Sequence, residues 1–422
     1  MGKEKRKKIE PPKISPYRII IFLFLNHLES MKIAFPDVLK VVNRNINKCE
    51  KNLQTFLKTK TKPHKSNKDK KKSFQIDIEN YREFVKLIES KQKAELAEKT
   101  ILQSSITSLV SIYDSFLGQL IKVMLENKSE ILNSTDKNIP FNKILEFNTI
   151  NDAKDFIIEK EVESVLRTSH SDQIKWLENK LGIPLKKELD IWPSFIELTE
   201  RRNLYTHSNG VVSSQYLSVC SSNLVTFEKK FKVGDELKAT IDYFNNAYKI
   251  LLEMGVKLNQ VIWHKLHPDN LEEADNTLIE IGYNILYAED YELTKIILEF
   301  STNVLKKYSD EMVRRVFIVN KALAYKWSGE DKKAKEIIKA EDWSICNDNL
   351  KLAEAVILDN YTEATQIMRV IGSRGRIGKS EYMEWPLFKE FRKSKEFLNA
   401  FEEIFKEPSI TVEDEKLKEK VA

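Results

Sequence analysis

Residues 192–210 read WPSFIELTERRNLYTHSNG, and the period of their apolar positions decides the fold. Trp192-Pro193 marks a helix start, because proline is tolerated in the first turn. Phe195, Leu198, Arg202 and Tyr205 then recur at steps of three, four and three, the stripe of a helix with one packed face. Ser208-Asn209-Gly210 closes a helix that begins near Asp190 and ends at His207. Arg202 interrupts the stripe. A cation there must meet an anion or face a shared cleft, because burying an unpaired charge is costly. Arg201 follows Glu197 by four, the spacing of an ordinary surface pair.

The same period governs the chain on either side, and predicts an all-α protein. Residues 31–57 read as one amphipathic helix, and residues 58–72, lysine-rich and broken by Pro63, as a solvated linker. Residues 74–266 form the main helical domain. In it Leu102, Ile106, Leu109, Tyr113, Phe116, Leu120 and Met124 mark one helix face. Ser104, Ser108, Ser111, Ser115 and Gly118 mark a second, small enough to let another helix come close, either inside the domain or from a second chain. Asp114 sits between the two faces, within reach of Arg202 or His207, or in solvent. Another long helix is expected from Asp235, after Gly234, to Lys265.

Residues 267–405 change character to short helix pairs. Ala288-Glu289-Asp290 with Thr294, Gly329-Glu330-Asp331 with Ala334, and Asp359-Asn360-Tyr361 with Ala364 repeat one pattern of turn plus small residue, at unequal spacing. The stretch from Ala322 to Ala334 resembles a tetratricopeptide unit, so these residues are expected to pack as degenerate helical repeats and to bind a protein partner or brace a dimer. Residues 406–422 form a charged tail.

Composition agrees with a helical protein. Hydrophobic residues are 41%, charged residues 32%, and the net charge of +5 permits a nucleic-acid partner. Cys49, Cys220 and Cys346 are scattered and odd in number, which suits a reducing cytoplasm better than a disulfide framework. The basic start followed by apolar Ile19 to Leu25 imitates a secretory signal. That run is short, lacks a small-residue cleavage site and cannot by itself span a bilayer. Met31 offers an alternative start, which would make residues 1–30 an extension of little consequence, and no membrane partner is expected.

The chemistry lies in Arg202, Asn203 and His207. Histidine titrates near pH ~6.5 and can give or take a proton. Arginine stays charged and presents a planar fork of donors to phosphate oxygens. Together they can serve attack of a ribose 2′-hydroxyl on its own phosphodiester. Asn203, four residues before His207, could orient the imidazole. On one helix, however, five residues turn about 140° and rise ~7.5 Å, so Arg202 and His207 do not converge. Either the last turn unwinds, or two chains pool their residues about a two-fold axis.

The segment Glu200 to Gly210, with Tyr113 to Gly118 upstream, resembles the HEPN superfamily, in its bacterial defence-associated ribonuclease branch. That family's signature is an arginine, a polar residue and a histidine after four to six intervening positions, which Arg202, Asn203 and His207 match. The resemblance covers about residues 75–265. It implies a HEPN-type helical bundle, a homodimer with a composite site, and metal-independent cleavage of RNA to a 2′,3′-cyclic phosphate, typically by a toxin or abortive-infection effector. Asp114, Glu200 and Tyr205 are the candidate supporting residues. Two other classes stay open: a non-catalytic scaffold, and a nucleotide-binding regulator that uses the same pocket.

Other signals are weaker. Ser373 to Ser380 imitates a phosphate-binding loop, but its first glycine is misplaced and no strand precedes it. His264 and His267 lack the cysteines or carboxylates that would complete a metal site, so neither metal nor cofactor is expected.

Overall fold

A computed structural model describes residues 14–64, 73–128, 130–131, 138–187 and 189–406. The charged tail 407–422, most of the lysine-rich stretch and the basic start lie outside the described residues. The described residues are overwhelmingly helical, with two short strands. Contacts divide the chain into Met1–Gly255 and Val256–Ala422, inside a helix rather than at residue 266.

The first unit contains α1 (Pro16–Thr59), β1 (Thr61–His64), β2 (Ser73–Ile76), α2 (Ile78–Asn127), α3 (Phe141–Ile144), α4 (Ile150–Leu166), α5 (His170–Leu181), α6 (Trp192–His207), α7 (Ser214–Ser222) and the start of α8 (Ile241–Leu266). α1 begins fifteen residues before the start expected at Met31, and its first turns are core rather than a dispensable extension. Tyr17, Ile21, Phe24 and Leu28 are buried, and the Phe24 ring stacks on Phe116 at 4.4 Å. Gly255 makes room for it, since a Cβ there would come within 2.3 Å of that ring.

α1 and α2 run antiparallel as one long hairpin. Phe24 meets Tyr113 and Phe116 at one end, and toward the other Lys91 pairs with Glu50 and Phe56 stacks on Phe84. The expected break at residue 73 therefore falls within one packed motif. β1 and β2 close the hairpin as an antiparallel ribbon, Thr61 opposite Ile76 and His64 opposite Ser73. Part of the expected linker is thus strand, and Pro63 is tolerated because a two-stranded ribbon has only edges. The core face of α2 is as the period predicts, with Ile106, Leu109, Tyr113 and Leu120 fully buried. Of the small-residue seam only Gly118 is buried, with Leu166 of α4 against it; the four serines are exposed.

α8 starts at Ile241, not Asp235. Asp235 is held in a turn: its carbonyl accepts from Val212 N at 2.8 Å and its carboxylate from Lys232 N at 2.8 Å. Both α1 and α2 contain a window apolar enough to cross a membrane by length and composition, a test that core helices also pass. Buried residues make up 61% of that window in α2 and 28% in α1.

The second unit contains α9 (Glu272–Tyr287), α10 (Tyr291–Glu299), α11 (Glu311–Trp327), α12 (Asp331–Lys339), α13 (Asp348–Ile357), α14 (Tyr361–Ile371), α15 (Lys379–Glu384) and α16 (Lys395–Phe405). Three of its helix pairs turn identically. Glu289, Gly329 and Asp359 take positive φ of 60°, 91° and 63°. The following amides of Asp290, Glu330 and Asn360 reach back to the carbonyls of Ile285, Tyr325 and Ala355. These are left-handed helix ends with their carbonyls satisfied. Thr294, Ala334 and Ala364 follow each turn, all fully buried where the paired helices approach.

Candidate functional site

α6 carries the site, and its start at Trp192 and end at His207 are as the sequence predicts. The Ser208 amide bonds to Leu204 O at 2.8 Å and the Gly210 amide to the same oxygen at 3.0 Å, with Gly210 at φ 83°. The helix stays regular to His207, so no unwinding brings Arg202 and His207 together within one chain.

Arg202 finds the anion it needs in Asp114. Its Nη2 donates to Asp114 Oδ2 at 2.9 Å, joining α6 to α2. The other carboxylate oxygen lies 2.8 Å from His170 Nε2, at the first turn of α5. Three helices therefore meet at one carboxylate. Arg202 keeps 21% of its side-chain surface exposed, His170 only 8%, and the Arg202 Nε is buried without a bond. Tyr113 forms the floor: its ring packs edge-on against Phe195 at 5.1 Å and lies 6.3 Å from His170. Burial pushes its phenol far above the ordinary range.

Glu200 is part of this cluster. Burial pushes its carboxyl above the usual value, offset in part by the nearby His170, Asn203 and Arg202. Among the described residues Asn203 makes no hydrogen bond to His207. His207 itself is exposed on the last turn, with no hydrogen-bond partner among the described residues.

Arg201 departs from expectation. It and Glu197 are each only 11% exposed, their ion pair measuring 2.6 Å. Glu197 also accepts from Tyr216 Oη at 2.7 Å and Tyr243 Oη at 2.6 Å, and the Arg201 guanidinium sits 4.0 Å over the Tyr243 ring. This is a buried network, not a surface pair, because α7 and α8 cover that face of α6. Tyr205 belongs to it: burial raises its phenol while the neighbouring Arg201 draws it down. Burial, with Glu197 and Glu200 nearby, pushes the Cys220 thiol up to about 12, too high for a nucleophile at neutral pH.

The sequence reading missed His170. Ser169, whose hydroxyl accepts from the Asp172 amide, is a legible helix cap, but nothing in spacing links the next residue to Asp114, fifty-six positions earlier.

Elsewhere the weaker signals are structural. The Gly378 amide donates to Glu381 Oε2 at 2.8 Å, so the helix start in the phosphate-loop imitation already holds an anion. His264 lies 3.3 Å from Asp275, which is fully buried and also accepts from the Ser309 amide at 2.6 Å. Among the described residues no group of three or more His, Cys, Asp or Glu is arranged to hold a metal ion. Compared with family models, curated proteins and solved structures, the chain matches none.

Proposed function

We propose that this chain is a metal-independent endoribonuclease in which His207 moves the proton and Arg202 stabilises the phosphate charge. The observation that supports this reading is the contrast in how the two side chains are held. Arg202 is fixed by Asp114 yet partly open, while His207 stands free in solvent on the same helix. A preorganised cation and an accessible imidazole, once brought to one phosphate, suit acid–base cleavage of a phosphodiester.

In the reaction a base takes the proton of the ribose 2′-hydroxyl, and the 2′-oxygen attacks the adjacent phosphorus. The bond from phosphorus to the 5′-oxygen breaks, that oxygen takes a proton, and a 2′,3′-cyclic phosphate remains. His207 acts as base or acid. Because it lies about 140° around the helix from Arg202, a homodimer that brings the two α6 helices together about a two-fold axis completes the site. On this reading residues 74–266 are a HEPN-type bundle, and the tetratricopeptide-like pairs of the second unit bind a regulator or sense the trigger. The enzyme acts in the cytoplasm as a toxin or antiviral effector.

The test is incubation of the pure protein with RNA in EDTA. Fragments ending in 2′,3′-cyclic phosphate are expected. His207→Ala should slow their appearance by roughly 10²–10⁴-fold, the usual worth of a general acid or base, without lowering the melting temperature. Intact RNA, or a variant as fast as wild type with contamination excluded, would sink the reading and leave a helical scaffold or nucleotide-binding regulator.

A further inference from the structure

The far half of the α1–α2 hairpin is built unevenly. Leu39, Val42, Ile46, Cys49, Leu53 and Phe56 recur at steps of three and four, all buried or half-buried: a seam against α2. Directly opposite run Arg44, Lys48, Lys51 and Lys58, every one exposed. They span about 21 Å of helix at 1.5 Å per residue. Among the described residues none of the four has an ion-pair partner, while the acids along the seam are engaged elsewhere, Glu50 and Glu95 by Lys91 and Glu83 by Lys60. From Val38 to Lys60 the chain holds six basic residues and one acid; from Asp77 to Thr100 on α2 it holds five basic residues and six acids.

That asymmetry has a cost. Like charges at three and four residues repel, by roughly 0.2–0.5 kcal/mol per pair, and alternating signs would stabilise the helix instead. A row of unpaired cations on a rigid arm is relieved by a partner that is itself a row of anions. We propose that this face of α1 is a docking surface for the phosphate backbone of single-stranded RNA. Asn47 and Asn52, exposed beside the row, supply the amides that commonly join phosphate and sugar contacts. An anionic membrane fits less well. A surface-lying helix needs its apolar face free for the bilayer, and here that face is the seam with α2. The choice of RNA rests on the ribonuclease reading; the cation row does not.

The experiment measures binding of the full chain to a fluorescent 2′-O-methyl oligouridylate, which lacks the attacking hydroxyl and cannot be cut. Changing Arg44, Lys48, Lys51 and Lys58 to Gln together should weaken binding roughly tenfold or more and flatten the plot of log affinity against log salt by about three, at ~0.7 per cation on a single strand. Each single change should flatten it by about 0.7, which keeps the test readable if the fourfold variant misfolds. Changing Lys306, Lys332, Lys333 and Lys339 of the second unit to Gln removes the same charge and should leave the slope alone. An unchanged slope in the α1 variants, or an equal loss in the control, overturns the proposal. So does selective loss of binding to phosphatidylserine vesicles with RNA binding retained. Cleavage of the dinucleotide UpU in EDTA separates the two ideas. If UpU stays intact while binding depends on the row, the catalytic reading fails and the docking surface stands.

Discussion

Arg201 and Arg202 are neighbours on α6 and live in opposite surroundings. Arg201 enters a closed network in which one carboxylate, Glu197, satisfies a guanidinium and two phenols, and an aromatic ring covers the cation. Among the described residues Arg202 has one bonded carboxylate, shared with His170; it keeps a buried nitrogen unbonded and stays partly open to solvent. A buried network so densely bonded holds a fold together, even with the Tyr205 hydroxyl left unbonded. A guanidinium that keeps 21% of its side-chain surface exposed can still take a ligand. The lesson is that a cation's neighbours, more than its burial, separate structure from function.

The sharpest way to break this comparison is to remove each carboxylate. Glu197→Ala leaves Arg201 charged and unpaired in the interior, and two phenols without their acceptor. A loss of about 3–5 kcal/mol is expected, as for other broken buried ion pairs. It would be read as a fall in the urea midpoint at unchanged slope. A loss below 1 kcal/mol would mean the network is not closed.

Asp114→Asn should behave differently. The amide still fits, and the partly exposed Arg202 can turn to water, so stability should fall by only about 1 kcal/mol. RNA cleavage should fall more, roughly ten- to a hundredfold, since a misplaced charge clamp costs rate rather than folding. If stability and activity fell together as they would for Glu197, Asp114 would be a second structural carboxylate. His170→Gln should act in the same direction as Asp114→Asn, but more weakly, because it touches Arg202 only through the shared carboxylate.

Much of this contrast could be read from residues near in sequence. The limits of α6, the core face of α2 and the three turns at Glu289, Gly329 and Asp359 follow from local chemistry: a proline in a first turn, a period of 3.6, a repeated turn followed by a small residue. What escaped depends on distant chain. Arg201 looked like a surface residue because Glu197 is four positions away, whereas its burial is imposed by Tyr216 and Tyr243. His170 reaches Asp114 only once α5 packs on α2. The first turns of α1 resembled a leader because their partners, Phe116 and Gly255, lie some ninety and more than two hundred residues on. Asp235 resembled a helix cap because its tie to Val212 is a tertiary bond.

The smallest expected effect concerns Glu200, which sits beside both networks and separates them by pH. Burial raises its carboxyl pKa in the folded chain above the unfolded value, despite the opposing pull of His170, Asn203 and Arg202. Between those two values the folded state holds more protons than the unfolded one, so this group's contribution to stability is fully present in acid and is lost as pH rises through the folded pKa. Glu200→Gln removes the charge and keeps the shape. The variant should therefore match wild type near pH ~4 and exceed it modestly near pH ~7, as read by urea midpoints across that range. The opposite trend, with the variant weaker at neutral pH, would mean that the Glu200 carboxylate is held by Arg202 and His170 more firmly than burial opposes it. Arg202 would then have a second counter-ion, and the open side of the comparison would close.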